Sequence, residues 1–259
     1  MSMADLSRRE FLTLPLALAL APVGTAWGGV ERYQRGYTLD VGVLYDVFKF
    51  GNAGSIEERV DRAANTYEVV IAGRGTSIET SIESGGEWRD GRWWPTHTKS
   101  FFLVLGRESR TDVAYDYARR TSAYHARAET FFLRRERLVN DTVALPPGAR
   151  VDDAISALLN YQDNVWLPDA DGMYRTHIVR RQRKKGELPD DVDKAGYRAE
   201  LVPLQFRVEG STALVDLTRF SSWALEESPG RITFGPDRRP QRLLASLRLG
   251  TRITVQFDG

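Results

Sequence analysis

Side chains that could bind a metal or act as nucleophiles are few in this sequence. It holds three histidines, His97, His125 and His177, and no cysteine. None of the histidines has an HxH, HExxH or Cys/His partner at the spacing of metal ligands. The lack of cysteine excludes disulfides, thiolate nucleophiles and cysteine-bound metal clusters together. The sequence therefore predicts no metal site and no cofactor.

Carboxylates are plentiful, but none is marked as half of a catalytic pair. Candidates for hydrolysis are Asp40, Asp46, Asp163 and Glu200. The sequence does not indicate which of them face each other. It has no G-x-S-x-G or Walker motif, and the DADG segment at 169–172 fits a turn better than a calcium loop. We therefore predict a protein without catalysis and keep a periplasmic hydrolase as the third alternative.

A basic run has the composition of a surface contact. It consists of Arg180, Arg181, Arg183, Lys184 and Lys185. Such a run could meet anionic lipid head groups or polyanionic glycans, at about 1 kcal/mol per charge near an anionic surface. Alternatively, it is a solvated loop that nearby acidic residues neutralise.

A tryptophan-rich turn, WRDGRWWP at 88–95, is the second candidate for a surface contact. Its exposed indoles, with Trp88 and Trp93 as the first candidates, could stack on sugars or insert into lipid. Alternatively, these side chains pack in the core, because large aromatic residues are mostly buried.

The elements that would carry these residues are mostly strands. From 37 to 47, apolar and aromatic residues occupy every second position. Similar patterns recur at 66–73, 97–106, 111–120, 122–133, 173–182, 198–208, 213–220, 241–250 and 252–257. Turn residues separate many of them at hairpin distances. The pattern predicts an antiparallel meander, which at this length curls into a barrel, a half-barrel or two packed sheets.

Two segments interrupt the alternation and predict helices. The first is 76–86, where Thr76 and Glu79 have capping-box spacing and two glycines follow. The second is 153–162, which follows a Pro-Pro-Gly break, has Asp152 or Asp153 as its N-cap and carries an apolar stripe. We expect this amphipathic helix to plug the open side or mouth of the curved sheet.

The first 28 residues predict an export signal. Residues 7–12 resemble the twin-arginine pattern, with Arg8 and Arg9 as the pair. The apolar run that follows is shorter than the roughly 20 residues of a membrane span, and small residues favour cleavage near 26–28. We therefore predict a periplasmic protein with one β-rich domain at 29–259 and the twin-arginine translocase as its partner during export. The formal charge of +1 does not favour nucleic acid as a partner.

Four segments together resemble a bacterial envelope family known as domain of unknown function 3108. They are LDVGVLYDVFKFGNAGSIEERV, EWRDGRWWPTHTKS, ALPPGARVDDAISALLNYQ and GRITFGPDRRPQRLLASLRLGTRITVQF. The resemblance implies an exported protein whose curved antiparallel sheet wraps one or more helices, broadly similar to periplasmic carriers of lipoproteins and lipids. It implies no catalytic residue.

These observations predict a mainly β fold, a curved, barrel-like antiparallel sheet that wraps one amphipathic helix. We expect its concave side to bind an apolar ligand, such as an acyl chain, a lipid or a lipoprotein anchor, without catalysis. The predicted lining is Val41, Val43, Tyr45, Ile155, Leu158, Leu159, Ala245 and Leu247. The alternative is an interaction or scaffold module for envelope glycans or proteins, which would use the tryptophan turn and the basic run.

Overall fold

The computed structural model describes residues 29–43, 45–184, 186–193, 196–221 and 223–259, so the predicted signal at 1–28 lies outside it. The described residues form fifteen strands, one α-helix and one 3-10 turn. The strands are β1 (Val30–Val43), β2 (Phe48–Asp61), β3 (Thr66–Arg74), β4 (Ile78–Arg89), β5 (Arg92–Val104), β6 (Arg107–Asp116), β7 (Thr121–Glu129), β8 (Glu136–Ala144), β9 (Val151–Asp152), β10 (Met173–Arg181), β11 (Ala199–Glu209), β12 (Thr212–Val215), β13 (Gly230–Phe234), β14 (Pro240–Leu247) and β15 (Thr251–Phe257). The helix, α1, is Ala154–Gln162.

All fifteen strands belong to one large, open, curved sheet in the order β8-β7-β6-β5-β4-β3-β2-β1-β15-β14-β13-β12-β11-β10-β9. Neighbours are antiparallel except β9 and β10, which are parallel. The sheet curls until its two ends approach each other. Asp141 on β8 accepts a hydrogen bond from the Ala199 backbone N–H on β11 at 2.9 Å. The predicted curved antiparallel sheet around one helix is confirmed.

The helix predicted at 76–86 is wrong, because this segment forms most of β4. Ile78 and Ile82, four residues apart, lie on one face of a strand as well as on one face of a helix. Pairing with β3 and β5 on both sides decides between the two structures. Gly85 and Gly86 do not end a helix. Their lack of a side chain leaves room for the rings of His97 and Tyr67. A Cβ atom at Gly86 would lie 2.4 Å from the Tyr67 ring.

The helix predicted at 153–162 is confirmed, with Asp153 as its N-cap. The Ser156 backbone N–H donates to the Asp153 carboxylate at 2.6 Å, and the Asp153 N–H donates to the Ser156 hydroxyl at 3.0 Å. This reciprocal pair is a capping box, which satisfies two backbone donors at the start of the helix. No helix among the described residues is long and apolar enough to cross a membrane.

The meander gives the sheet two different ends. The connections after β1, β3, β5, β7, β10, β12 and β14 lie at one end, which we call the open end. The connections after β2, β4, β6, β11 and β13 lie at the other, the closed end. The helix lies at the closed end, because Arg62 in the β2–β3 turn and the Trp93 indole both donate to Asp163 just after it.

Apolar side chains of α1 fill the interior at the closed end. Ile155 and Leu159 pack with Tyr67 and Trp93 on one side of the sheet. On the other side, Tyr161 and its neighbours pack with residues of β11, β12 and β13, such as Phe206, Ala213 and Phe234. The helix therefore joins the two halves of the curved sheet through a filled core.

Leu158→Ala is expected to lower the free energy of unfolding by about 2 kcal/mol, the low end of the range for Leu→Ala in cores. Leu158 is half-buried and packs against the β11–β13 side, whereas the adjacent Leu159 is buried. Leu159→Ala should therefore cost more. Urea denaturation of both variants checks the order, and equal losses would contradict it.

Two adjacent buried carboxylates tie the start of α1 to the sheet. Asp152 accepts two hydrogen bonds from the Arg92 guanidinium, at 2.5 and 2.6 Å, and one from the Thr176 hydroxyl at 2.5 Å. Asp153 accepts from the Ser84 hydroxyl at 2.5 Å and from the Thr98 hydroxyl. Burial raises the pKa of the Asp153 carboxyl above its ordinary value of 3.8, although these hydrogen bonds oppose the shift.

Asp153→Asn is expected to change the free energy of unfolding at neutral pH by less than about 1 kcal/mol, because asparagine caps helices as well as aspartate. The raised pKa means that the folded state holds this proton more tightly than the unfolded chain. The free energy of unfolding therefore falls as pH rises from 3.8 to the raised pKa, because the unfolded chain loses this proton first. Asp153→Asn removes this pH dependence. Asp153→Ala, which loses the cap, should cost about 1–3 kcal/mol. Equal losses for both variants would contradict this account.

Candidate functional site

Most of the large apolar side chains exposed in the described structure lie at the open end. Only Val30, Leu138 and Leu167 lie elsewhere. Those at the open end are Tyr45, Val47, Phe48, Leu105, Phe132, Leu133, Leu188, Leu225 and Leu249. Single exposed apolar residues are normal, but a contiguous group of them marks a contact or binding site.

Six of these side chains line one cleft of about 1060 Å³, which we call the open-end cleft. The six are Tyr45, Phe132, Leu133, Leu188, Leu225 and Leu249. Leu247 and Thr251, both buried, also line it. Its volume is slightly above the roughly 300–1,000 Å³ that small-molecule sites occupy. The arrangement can therefore take up an apolar ligand of substantial size.

Two aspartates hold the apolar wall in place through backbone hydrogen bonds. One Asp190 carboxylate oxygen accepts from the backbone N–H groups of Phe132 and Leu133, at 2.9 and 2.7 Å. Asp191 accepts from the Leu188 N–H at 2.8 Å. The β7–β8 turn and the β10–β11 connection are thus fixed to each other, and their apolar side chains remain exposed.

Arginines of the basic run also hold the β10–β11 connection, which forms part of this wall. Arg181 donates to the buried Glu187 carboxylate at 2.5 and 2.9 Å, and Arg183 donates to the Ser221 carbonyl at 2.8 Å. Burial alone would raise the pKa of Glu187, but the Arg181 and Arg137 guanidiniums outweigh it, and the pKa lies below its ordinary value. These arginines connect the β10–β11 and β12–β13 connections.

Tyr45 lies across the β14–β15 turn. A Cβ atom at Gly250 would lie 2.5 Å from the Tyr45 ring, and Gly250 has a φ of +62°. Both the positive φ and the close ring require glycine at this position.

The predicted strand at 37–47 ends earlier, because Tyr45 and Asp46 have φ values of 56° and 66° and form a turn.

The structure separates the residues of the predicted ligand-binding set. Ile155, Leu158 and Leu159 belong to the packed core at the closed end, so they do not line the open-end cleft. Val41 and Val43 are buried with Ile78. Ala245 lines a separate cavity of about 370 Å³. Of the set, Tyr45 and Leu247 line the open-end cleft.

The predicted surface contacts are mostly turned inward. Trp93 is 1% exposed and meets the half-buried Trp88 edge to face at 5.0 Å, so Trp93 lies in the core and not on the surface. Arg180 lies over the Phe220 ring at 5.3 Å. Lys184 is exposed and pairs with Asp193 at 2.7 Å. Lys185 lies outside the described residues.

Sequence reasoning missed Phe132, Leu133, Leu188, Leu225 and Leu249 as cleft residues. Two of them were assigned to the predicted strand at 122–133, which in fact ends at Glu129. The available signal was three apolar residues, 131–133, directly before a run of charged residues at 134–137.

The described residues contain no group of three or more histidine, cysteine, aspartate or glutamate side chains that could hold a metal ion. The candidate carboxylates Asp46 and Asp163 lie at opposite ends of the molecule, near the open-end cleft and after α1 respectively. They therefore do not form a catalytic pair.

Fold and site together define a mostly β protein with an open, curved sheet, a helix at the closed end and an apolar cleft at the open end. No family model matches the chain, and no curated protein matches it. The chain is similar to a solved structure, the β-barrel-like protein of domain of unknown function DUF1849 from Brucella abortus. The two share 10% sequence identity with a TM-score of 0.37, over 87% of this chain and 94% of that one.

Proposed function

We propose that the protein binds an apolar chain, such as the acyl chain of a lipid or of a lipoprotein anchor, in the open-end cleft and without catalysis. The convergence of six exposed apolar side chains on one concave site carries this proposal. Each methylene group that leaves water for such a surface contributes about 0.8 kcal/mol. A chain of several methylenes would therefore bind without any recognisable polar motif.

The way the cleft is built also supports ligand binding. The wall is held by Asp190, Arg183 and Glu187 through hydrogen bonds that leave the apolar side chains free. A site that is already formed loses little conformational entropy when its ligand binds. The cleft is therefore formed before the ligand binds.

Binding is tested with N-phenyl-1-naphthylamine, an uncharged fluorophore that brightens in apolar surroundings. We expect saturable binding with one molecule per chain. Leu133→Asp should weaken it about tenfold or more, because a charge is then placed against the apolar ligand. Leu138→Asp is the matched control, since Leu138 is similarly exposed, at 61% against 57% for Leu133, but does not line the cleft.

Absence of saturable binding to the parent protein would contradict the proposed function. It would favour the alternative of a scaffold module for envelope glycans or proteins. Equal losses from Leu133→Asp and Leu138→Asp would show that the probe binds elsewhere.

We further propose that the protein acts in the periplasm, a proposal that rests on the twin-arginine pattern at residues 7–12. Export should depend on Arg8 and Arg9, because the twin-arginine pathway reads that pair. Replacing both by lysine should leave the protein in the cytoplasmic fraction. Undiminished protein in the periplasmic fraction would refute this route.

A further inference from the structure

We propose that the ligand of the open-end cleft is an anionic single-chain amphiphile, whose carboxylate or phosphate head group binds Arg248 and Arg252 at the rim. This inference rests on the proposed function and adds the chemistry of the head group. It adds charged side chains to a site whose other walls are formed by apolar side chains.

Three arginines that line the cleft have no side-chain partner among the described residues. Arg135, Arg248 and Arg252 are exposed, and none of them forms an ion pair or a side-chain hydrogen bond with another residue that the structure describes. Guanidinium groups bind carboxylates and phosphates through paired hydrogen bonds. The cleft therefore has free donors that suit an anionic head group.

The acidic residues of the cleft are already engaged. Asp190 and Asp191 accept the backbone hydrogen bonds that hold the wall. Asp46 pairs with Lys49 at 3.9 Å. Asp190 and Asp191 hold the wall of the cleft, and none of the three aspartates is paired with Arg135, Arg248 or Arg252 among the interactions of the described residues.

The surroundings of Arg248 are rich in positive charge. Burial lowers the pKa of the Arg183 guanidinium, Glu187 opposes that shift, and the charges of Arg181, Arg248 and Arg137 lower it further. Arg248 is thus close enough to the Arg183 guanidinium to repel it. A bound anion would relieve this repulsion, and a cationic head group would increase it.

The positions of these arginines match the shape of an amphiphile. Arg248 lies between Leu247, which is buried and lines the cleft, and Leu249, which is exposed at its rim. The Arg248 backbone N–H donates to the Trp223 carbonyl at 2.7 Å, which fixes the turn. An apolar chain over Leu247 would therefore place its head group near Arg248, in the cleft that Arg252 also lines.

The test compares three ligands with the same chain, namely dodecanoate, dodecyl phosphate and uncharged dodecanol. Their affinities are measured by calorimetry at neutral pH and low salt, below the concentrations at which they form micelles. We expect at least one anionic ligand to bind about tenfold or more tightly than dodecanol. The anion with the larger preference identifies the head group as carboxylate or phosphate. Added salt should reduce the preference, because exposed charges are screened.

The double variant Arg248→Gln/Arg252→Gln should lose the preference for the anion, so that the anion and dodecanol bind with similar affinity. Arg119→Gln/Arg120→Gln is the matched control, with the same change of charge in an exposed turn at the closed end. It should keep the preference.

Three results would overturn the inference. Equal affinities of the parent protein for all three ligands, or an anion preference that survives in Arg248→Gln/Arg252→Gln, would refute it while leaving the proposed function standing. Failure of all three ligands to bind would refute the proposed function together with the inference.

Discussion

Arg92→Met is expected to lower the free energy of unfolding by about 3–5 kcal/mol, the usual cost of removing one partner of a buried ion pair. Asp152 is fully buried, and the Arg92 guanidinium is its only charged partner among the side chains that the structure shows bonded to it. Without Arg92, an uncompensated carboxylate remains in the core. Asp152, directly before the start of α1, then loses its charged hydrogen bonds to β5. Urea denaturation at neutral pH gives the free energy directly.

Arg110→Met is the matched control for this prediction. Arg110 also forms a 2.5 Å ion pair, with Glu108, but the Arg110 side chain is 64% exposed. Exposed pairs contribute roughly 0–1 kcal/mol, so this variant should remain close to the parent protein. The double variant Arg92→Met/Asp152→Asn should recover part of the loss, because the two residues interact directly. Equal stability of Arg92→Met and Arg110→Met would contradict the account.

Trp93→Ala is expected to cost about 3–5 kcal/mol, as is typical of large aromatic residues in cores. Trp93 is 1% exposed and packs edge to face with Tyr67 and Trp88. Its indole N–H donates to Asp163, and its backbone N–H donates to the Asn160 side chain, both at 2.8 Å. The substitution therefore opens a cavity and removes the indole hydrogen bond to Asp163, whereas the backbone hydrogen bond to Asn160 remains.

Phe132→Ala is the aromatic control for Trp93→Ala. Phe132 is 49% exposed at the open-end cleft, so its removal should change the free energy of unfolding by less than about 1 kcal/mol. The same variant should weaken binding of an apolar probe. A loss of stability equal to that of Trp93→Ala would indicate that the open end is part of the core.

The strands and the main helix could be predicted because their signals are local. Alternation identifies a half-buried strand, and the residues from Asp153 to Ser156 specify the start of α1 through a capping box. The segment at 76–86 could not be assigned correctly, because Ile78 and Ile82 fit both periods. Pairing with two neighbouring strands decided the outcome, and that information is not local.

The candidate site was less predictable, because it is formed by turns. Alternation continues through Tyr45 in the sequence, but the backbone turns there with a positive φ. Phe132 and Leu249 are far apart in the sequence and meet at the cleft only because the sheet curls. Pattern analysis can assign a residue to a face of a strand. It does not show which turns of a fifteen-stranded sheet lie next to each other.

The claim that the open-end cleft holds an apolar chain is tested most directly by locating a bound chain. Crystals of the protein with 12-bromododecanol would report the end of the chain through the anomalous signal of bromine. The account predicts a bromine peak among Leu133, Leu188 and Leu247, and its loss in Leu133→Asp crystals. A bromine peak beside Ile155 and Leu159 at the closed end, or no ordered bromine at saturating ligand, would contradict it.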